Sequence, residues 1–167
     1  MALDRRWIEQ HIPHKGRMCL LDEVLTWDAV QIRCRSATHR TADNPLRAYG
    51  RLGAVCGIEY AAQAMAVHGA LVGASAPLAS SMSEQVRDSL GPSVGYLASV
   101  RSVTLHIARL DDLKHDLIAC AERLAGDART VLYEFRVTSE QVLVLEGRAS
   151  VVIDAAFGLA ASAGVPS

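Results

Sequence analysis

Gly53-Ala-Val-Cys-Gly-Ile-Glu59-Tyr-Ala-Ala-Gln63-Ala-Met-Ala-Val-His68-Gly-Ala-Leu-Val-Gly73 is a single apolar run of helix-forming residues closed by glycine at each end. On a helical wheel Val55, Ile58, Ala62, Met65, Val67, Leu71 and the alanines point in nearly every direction, so the run predicts a helix buried almost all round. About twenty residues at a rise of roughly 1.5 Å each make a short membrane span, and this one carries Glu59. Other parts of the chain must therefore wrap it, and a strongly curved sheet does so most simply. Glu59 is the costly residue. Burial pushes a carboxyl group's pKa up unless a donor pairs with it, and a carboxyl poised in that way can act as acid or base. Gln63 lies four residues on, on the same helix face, so a structural hydrogen bond between the two is an equally simple reading.

Outward from the helix, the 167 residues suffice for one compact domain, and no Pro/Gly/Ser-rich linker divides them. The expectation is one domain over residues 1–154 and a flexible tail over 155–167, which is rich in Ala, Gly and Ser. A formal net charge of -1 supplies no basic field for nucleic acid or anionic lipid. The opening Met-Ala-Leu-Asp-Arg-Arg-Trp has no apolar stretch of the secretory kind, which points to a cytoplasmic protein outside the membrane. Cys19, Cys34, Cys56 and Cys120 stand far apart and read as free thiols. With no ligand cluster at metal spacing and no glycine-rich phosphate loop, neither metal nor cofactor is expected.

Before the helix, residues 5–10 read as a short amphipathic turn or helix that stops ahead of Pro13. Pro13 and Gly16 punctuate a turn in which His11 and His14 read as polar turn residues. Alternation from Val24 to Thr38 predicts a hairpin turning near Trp27 and Asp28, and a polar loop from Thr38 to Gly53 then delivers the chain to the helix. After Gly73 comes a loop with a short helix up to Gly91-Pro92. Extended segments follow over Val94–Leu110, Asp116–Leu124, Thr130–Thr138 and Val142–Ile153, the last two joined at Ser139-Glu140-Gln141. The class is α+β, a curved antiparallel sheet wrapped round one long buried central helix.

Two stretches then take on a further meaning. Ile12-Pro-His-Lys-Gly-Arg-Met-Cys-Leu-Leu-Asp-Glu-Val24 resembles the opening of the hotdog-fold 3-hydroxyacyl-acyl-carrier-protein dehydratases, the FabA/FabZ-like group, and especially its relatives associated with aryl-polyene synthesis. Glu59-Tyr-Ala-Ala-Gln63-Ala is similar to the same family's helix segment. The resemblance implies a hotdog fold and dehydration of 3-hydroxyacyl thioesters on acyl carrier protein to trans-2-enoyl thioesters. It also implies a site shared between two subunits, with no cofactor. By position Glu59 is the acid, Gln63 its neighbour beside the substrate, and the N–H of Ala54, next to Gly53, the donor to the thioester oxygen. The family's base is a histidine on the loop before the helix. Aligned without gaps, its place falls on Pro45-Leu-Arg-Ala, which leaves His39 as the candidate on that loop.

Three functions stay open at this point: a dehydratase in fatty-acid or polyene synthesis, a non-catalytic hotdog subunit paired with a catalytic paralogue, or a thioesterase of the same fold. The expected partners are an acyl carrier protein bearing a 3-hydroxyacyl chain and a second hotdog chain, in a homodimer or a heterodimer with a paralogue.

Overall fold

The computed structural model describes residues 2–76 and 94–154. The loop expected after Gly73 lies mostly, and the C-terminal tail wholly, outside these. Asp4 caps the first helix, α1 (Arg5–His11), by accepting a hydrogen bond from the Trp7 amide at 3.0 Å. Pro13 ends it, and a 3-10 turn at Gly16–Met18 leads into β1 (Glu23–Trp27) and β2 (Gln31–Ser36). A second 3-10 turn at Thr38–Arg40 and a third at Ala54–Cys56 bracket the loop before the central helix α2 (Gly57–Ala74). Then come β3 (Val94–Leu105), β4 (Leu117–Gly126), β5 (Thr130–Ser139) and β6 (Val142–Asp154).

The six strands form one antiparallel sheet in the order β1-β2-β4-β5-β6-β3. Strand alternation sorts the side chains as the sequence requires: Ile32 and Cys34, Ala119 and Ala121, Tyr133, Phe135 and Val137 face inward and are buried. Against them α2 lays Tyr60, Ala61, Ala64, Met65, Val67 and Leu71, all nearly inaccessible. The alanines of β4 let the helix come close. So does Gly57, where an added Cβ would stand 2.5 Å from Leu145 Cδ2. Sheet and helix together make the hotdog architecture.

One expectation needs correction. The helix is not covered all round by its own chain: Val55 is 57% exposed, Gly69 and Gly73 are exposed, and Ala62, Ala66 and Ala70 between them are half-buried. The single sheet reaches only one side of α2, and its far side, on which Glu59 also lies, is left facing outward.

Candidate active site

Glu59 stands in the first turn of α2, half-buried. Its Oε1 lies 3.0 Å from His14 Nε2 and accepts a hydrogen bond of 3.0 Å from Gln63 Nε2. Among the described residues no hydrogen bond reaches Oε2, and the side chain keeps 32% of its accessible surface. Burial alone would raise the carboxyl pKa, but the hydrogen bonds from His14 and Gln63 outweigh it and hold the group below its ordinary value. At neutral pH Glu59 is a carboxylate, and His14 Nε2–H donates to it.

Gln63 brings the two residues together. The side chain is fully buried, and its amide is committed at both ends: Oε1 accepts from the Leu20 amide at 2.8 Å, and Nε2 donates to the Met18 carbonyl at 2.8 Å as well as to Glu59. The glutamine therefore stitches the segment after His14 onto the helix, more than forty residues away in sequence. Because the Leu20 amide takes the oxygen end, the nitrogen end must face the carboxylate. The substrate-contact role expected for Gln63 is corrected to a supporting one, since no atom of its amide is left for a ligand.

His14 itself sits between Pro13 and a turn that only glycine enters easily, Gly16 having φ +56°. Lys15 Nζ reaches back to the carbonyls of Glu9 and Ile12, the latter at 2.8 Å, and closes the end of α1. The Nδ1 of His14 is buried and has no hydrogen-bond partner among the described residues. The sequence reading took His14 for a polar turn residue. What could have found it is the stretch Pro13-His14-Lys15-Gly16 itself, which belongs to the opening segment that resembles the dehydratases.

His39 is elsewhere. It is fully buried, and its Nε2 donates to the Leu113 carbonyl at 3.3 Å. Burial, helped by the charge of Arg40, holds its pKa below the ordinary value, so the ring is neutral. The expectation that His39 joins Glu59 is corrected: the 3-10 turn at Thr38–Arg40 folds it inward, between the loop before α2 and the loop before β4. Beside it Tyr60 Oη, from the helix, meets Thr38 Oγ1 at 3.0 Å and accepts from Asn44 Nδ2 at 2.9 Å, which fixes that loop on α2.

Gly53 and Ala54 are also placed differently from expectation. Gly53 pairs as an isolated bridge with Arg109, and the Ala54 N–H donates to the Ala108 carbonyl at 3.0 Å. That donor is therefore occupied. The Leu110 amide donates to the Leu52 carbonyl at 2.9 Å, and Arg47 and Arg109 both grip Asp111, so the entry to α2 is firmly tied to the strand exit at 106–111. The hydrogen bond from the Arg109 guanidinium, helped by the Leu52 backbone, holds the Asp111 carboxyl far below the usual range. The amide of Val55, next along, finds no acceptor among the described residues and lies one turn before Glu59.

His68, two turns beyond Glu59, is a core residue: Tyr133 Oη donates to its Nδ1 and its Nε2 donates to the Asp28 carbonyl, both at 2.9 Å. The four cysteines are free, and no cluster of metal-ligating side chains occurs among the described residues.

Among solved structures the chain is similar to the dehydratase heterocomplex ApeI:P from Xenorhabdus doucetiae, at 20% identity and TM-score 0.70 over 88% of this chain and 90% of that one. It is also similar to the PaaI protein from the phenylacetic acid degradation operon of E. coli, at 12% identity and TM-score 0.54 over 77% and 80% of the two chains. A thioesterase from Streptococcus pneumoniae TIGR4, described as hypothetical and solved with coenzyme A, matches at 12% identity and TM-score 0.53 over 79% and 84%. These likenesses concern the fold. Comparison with curated proteins returned no match. A family profile described as ApeP dehydratase matches residues 6–158, nearly the whole chain, and with it the protein belongs to the ApeP-like dehydratase family.

Proposed function

We propose that the chain is a subunit of a dehydratase that removes water from 3-hydroxyacyl thioesters carried on acyl carrier protein, in the building of polyene or fatty-acyl chains, with Glu59 as the proton-transfer group. The observation that carries this reading is the asymmetry of the carboxylate: Oε1 is held by His14 and Gln63 while Oε2 is open. A depressed pKa makes Glu59 a proton acceptor at rest rather than an acid. Oε2 takes the C2 proton of the substrate, which the thioester carbonyl acidifies, and the electrons of that bond form the C2–C3 double bond. The C3–O bond breaks, and the hydroxyl leaves as water with the proton that Glu59 has just received, which restores the carboxylate. Negative charge gathers meanwhile on the thioester oxygen. The Val55 N–H, which has no acceptor among the described residues and lies in the turn that enters the positive end of α2, is suited to receive it, since the Ala54 amide is occupied. A second hotdog chain covers the outward face of α2 and closes the site.

The test is a product assay on carrier-protein substrate. Glu59→Gln should lower turnover by about a hundredfold or more and His14→Ala by about tenfold or more, with trans-2-enoyl thioester as the wild-type product. Free carrier thiol in place of enoyl product would make the chain a thioesterase, and full turnover by Glu59→Gln would remove Glu59 from the chemistry.

A second reading has its own support. His39 is turned into the fold, so the loop before α2 offers no base, and the likeness to a heterocomplex points to a partner that carries one. On that reading the purified chain is silent alone and active when mixed with a histidine-bearing hotdog paralogue, while Glu59→Gln abolishes the activity of the mixture.

A further inference from the structure

Helix α1 has no assigned part in the site, yet one of its side chains lies across the turn that presents His14. Arg5 Nη2 donates to the Gly16 carbonyl at 2.9 Å and to the Cys19 carbonyl at 2.5 Å, the two ends of the 3-10 turn. Nη1 donates to Asp22 Oδ1 at 3.3 Å, and Nε stands 3.5 Å from Glu9 Oε1 one turn along α1, so the plane of the guanidinium is fixed by two carboxylates. Asp22 is held in turn, its Oδ2 accepting from the Ala37 amide at 2.7 Å. The helix below is anchored by the fully buried Ile8 and by the Leu3 carbonyl, which accepts from the Val24 amide at 2.8 Å. The turn is thus gripped from two sides, by Arg5 at Gly16 and Cys19 and by Gln63 at Met18 and Leu20.

We propose that Arg5 is a positioning residue for the Glu59–His14 pair, holding the Gly16–Cys19 turn so that His14 Nε2 meets Glu59 Oε1. The inference rests on the reading of Glu59 as the reacting group. The end of α1 that Lys15 closes and the glycine turn are otherwise joined to His14 only through the backbone. Loss of the guanidinium frees two carbonyls, that of the exposed Gly16, which water can satisfy, and that of the buried Cys19. Part of the cost therefore falls on the fold and part on the placement of His14, and the two are separated by reading Glu59 itself. A misplacement of about 1 Å is enough to lower turnover by as much as about a hundredfold.

The experiment reads Glu59 directly, by carbon-detected NMR titration of its carboxyl group in the full chain, beside the kinetics. In Arg5→Met the His14 hydrogen bond is loosened while the burial of Glu59 remains, so its midpoint should move upward by about one pH unit. In the dehydratase assay kcat should fall about tenfold or more with KM little changed. Arg5→Lys, which brings one donor centre to a place that needs a fork, should fall between wild type and Arg5→Met in both measurements. A Glu59 midpoint in Arg5→Met identical to that of the wild type, with the amide spectrum of the rest of the chain intact, overturns the proposal. If Arg5→Met does not fold, Arg5→Lys and Arg5→Gln are read in the same way, and an unmoved midpoint in both overturns it equally. A wild-type chain without dehydratase activity both alone and mixed with a histidine-bearing paralogue would count against the function proposed above, whereas the titration still decides the role of Arg5.

Discussion

Two histidines that the site does not use carry a consequence for stability. His68 is fully buried, and burial lowers its pKa below the ordinary 6.5, with the hydrogen bond to the Asp28 carbonyl and the charge of Asp28 opposing the shift and Arg123 adding to it. Tyr133, pushed up to about 12 by its own burial, stays a neutral donor to His68 Nδ1 throughout. A depressed histidine pKa means that the unfolded chain binds a proton before the folded one does. The contribution of His68 is therefore complete above pH about 6.5 and is lost as pH falls from there toward the folded-state value. His39 behaves with the same sign. Thermal melts between pH 7.5 and 5 should show the midpoint falling, and His68→Gln should flatten that slope while lowering the midpoint at pH 7.5. An unchanged slope in His68→Gln would show that this histidine titrates alike in both states. At the same scale the sequence located Glu59, because a carboxylate in an apolar helix is conspicuous. It did not locate His14 as its companion. That meeting is made by an amide reaching across more than forty residues, and no local pattern records such a contact.

Among the elements, the central helix and the strands were legible because each has a clear period: alternation in β2 and β5, a sustained apolar run in α2. The tips of the loops were less so. The family's loop histidine was sought on residues 39–53, but that loop is bound to the core by Tyr60, Asn44 and Arg47, and turns its histidine inward. Glycines within α2 separate what propensity says from what packing requires. An interior Gly→Ala change ordinarily stabilises a helix by about 1 kcal/mol. At Gly57 the new methyl group would stand 2.5 Å from Cδ2 of the fully buried Leu145, too close unless that side chain shifts within the core, while Leu110 Cδ2 at 3.9 Å is in ordinary contact. Gly57→Ala should therefore lose about 1–3 kcal/mol, and because Leu145 lies on β6 the loss comes from the seating of the helix on the sheet. Gly69, with nothing within 4 Å of its would-be Cβ, supplies the control: Gly69→Ala should match or exceed the wild type in denaturant unfolding. Equal losses at the two positions would mean that the far side of α2 is closely packed at Gly69, which a single chain does not do.

For the whole molecule, the two edges of the sheet are unequal. On the β1 side the N-terminal segment runs alongside, with Asp4 bridged to Glu23 and the Val24 amide bonded to the Leu3 carbonyl, so part of that edge is occupied. At the other edge β3 is twelve residues long, and Leu97 and Leu105 on it are 42% and 45% exposed. A long edge with apolar side chains is a pairing surface, and it lies in the same chain as the uncovered face of α2. Pairing β3 of one chain antiparallel with β3 of another, about a two-fold axis, would continue the sheet across both chains and bring the two outward helix faces together. The small residues Ala62, Ala66, Gly69 and Gly73 on that face permit a close approach. The hydrogen bonds of such an edge come from the backbone and do not distinguish a copy from a paralogue. Side chains must make the choice, and the exposed leucines of β3 are among those available. Sedimentation at micromolar concentration should give a dimer for the wild-type chain, or for its mixture with the paralogue that activates it. Leu97→Lys combined with Leu105→Lys should dissociate the pair while leaving the circular dichroism of each chain unchanged, since neither leucine is needed to fill its own core. Activity should disappear with the dimer and return at high protein concentration if the second chain is needed to close the site over Glu59. A monomeric variant with full turnover would show instead that one chain encloses its substrate alone.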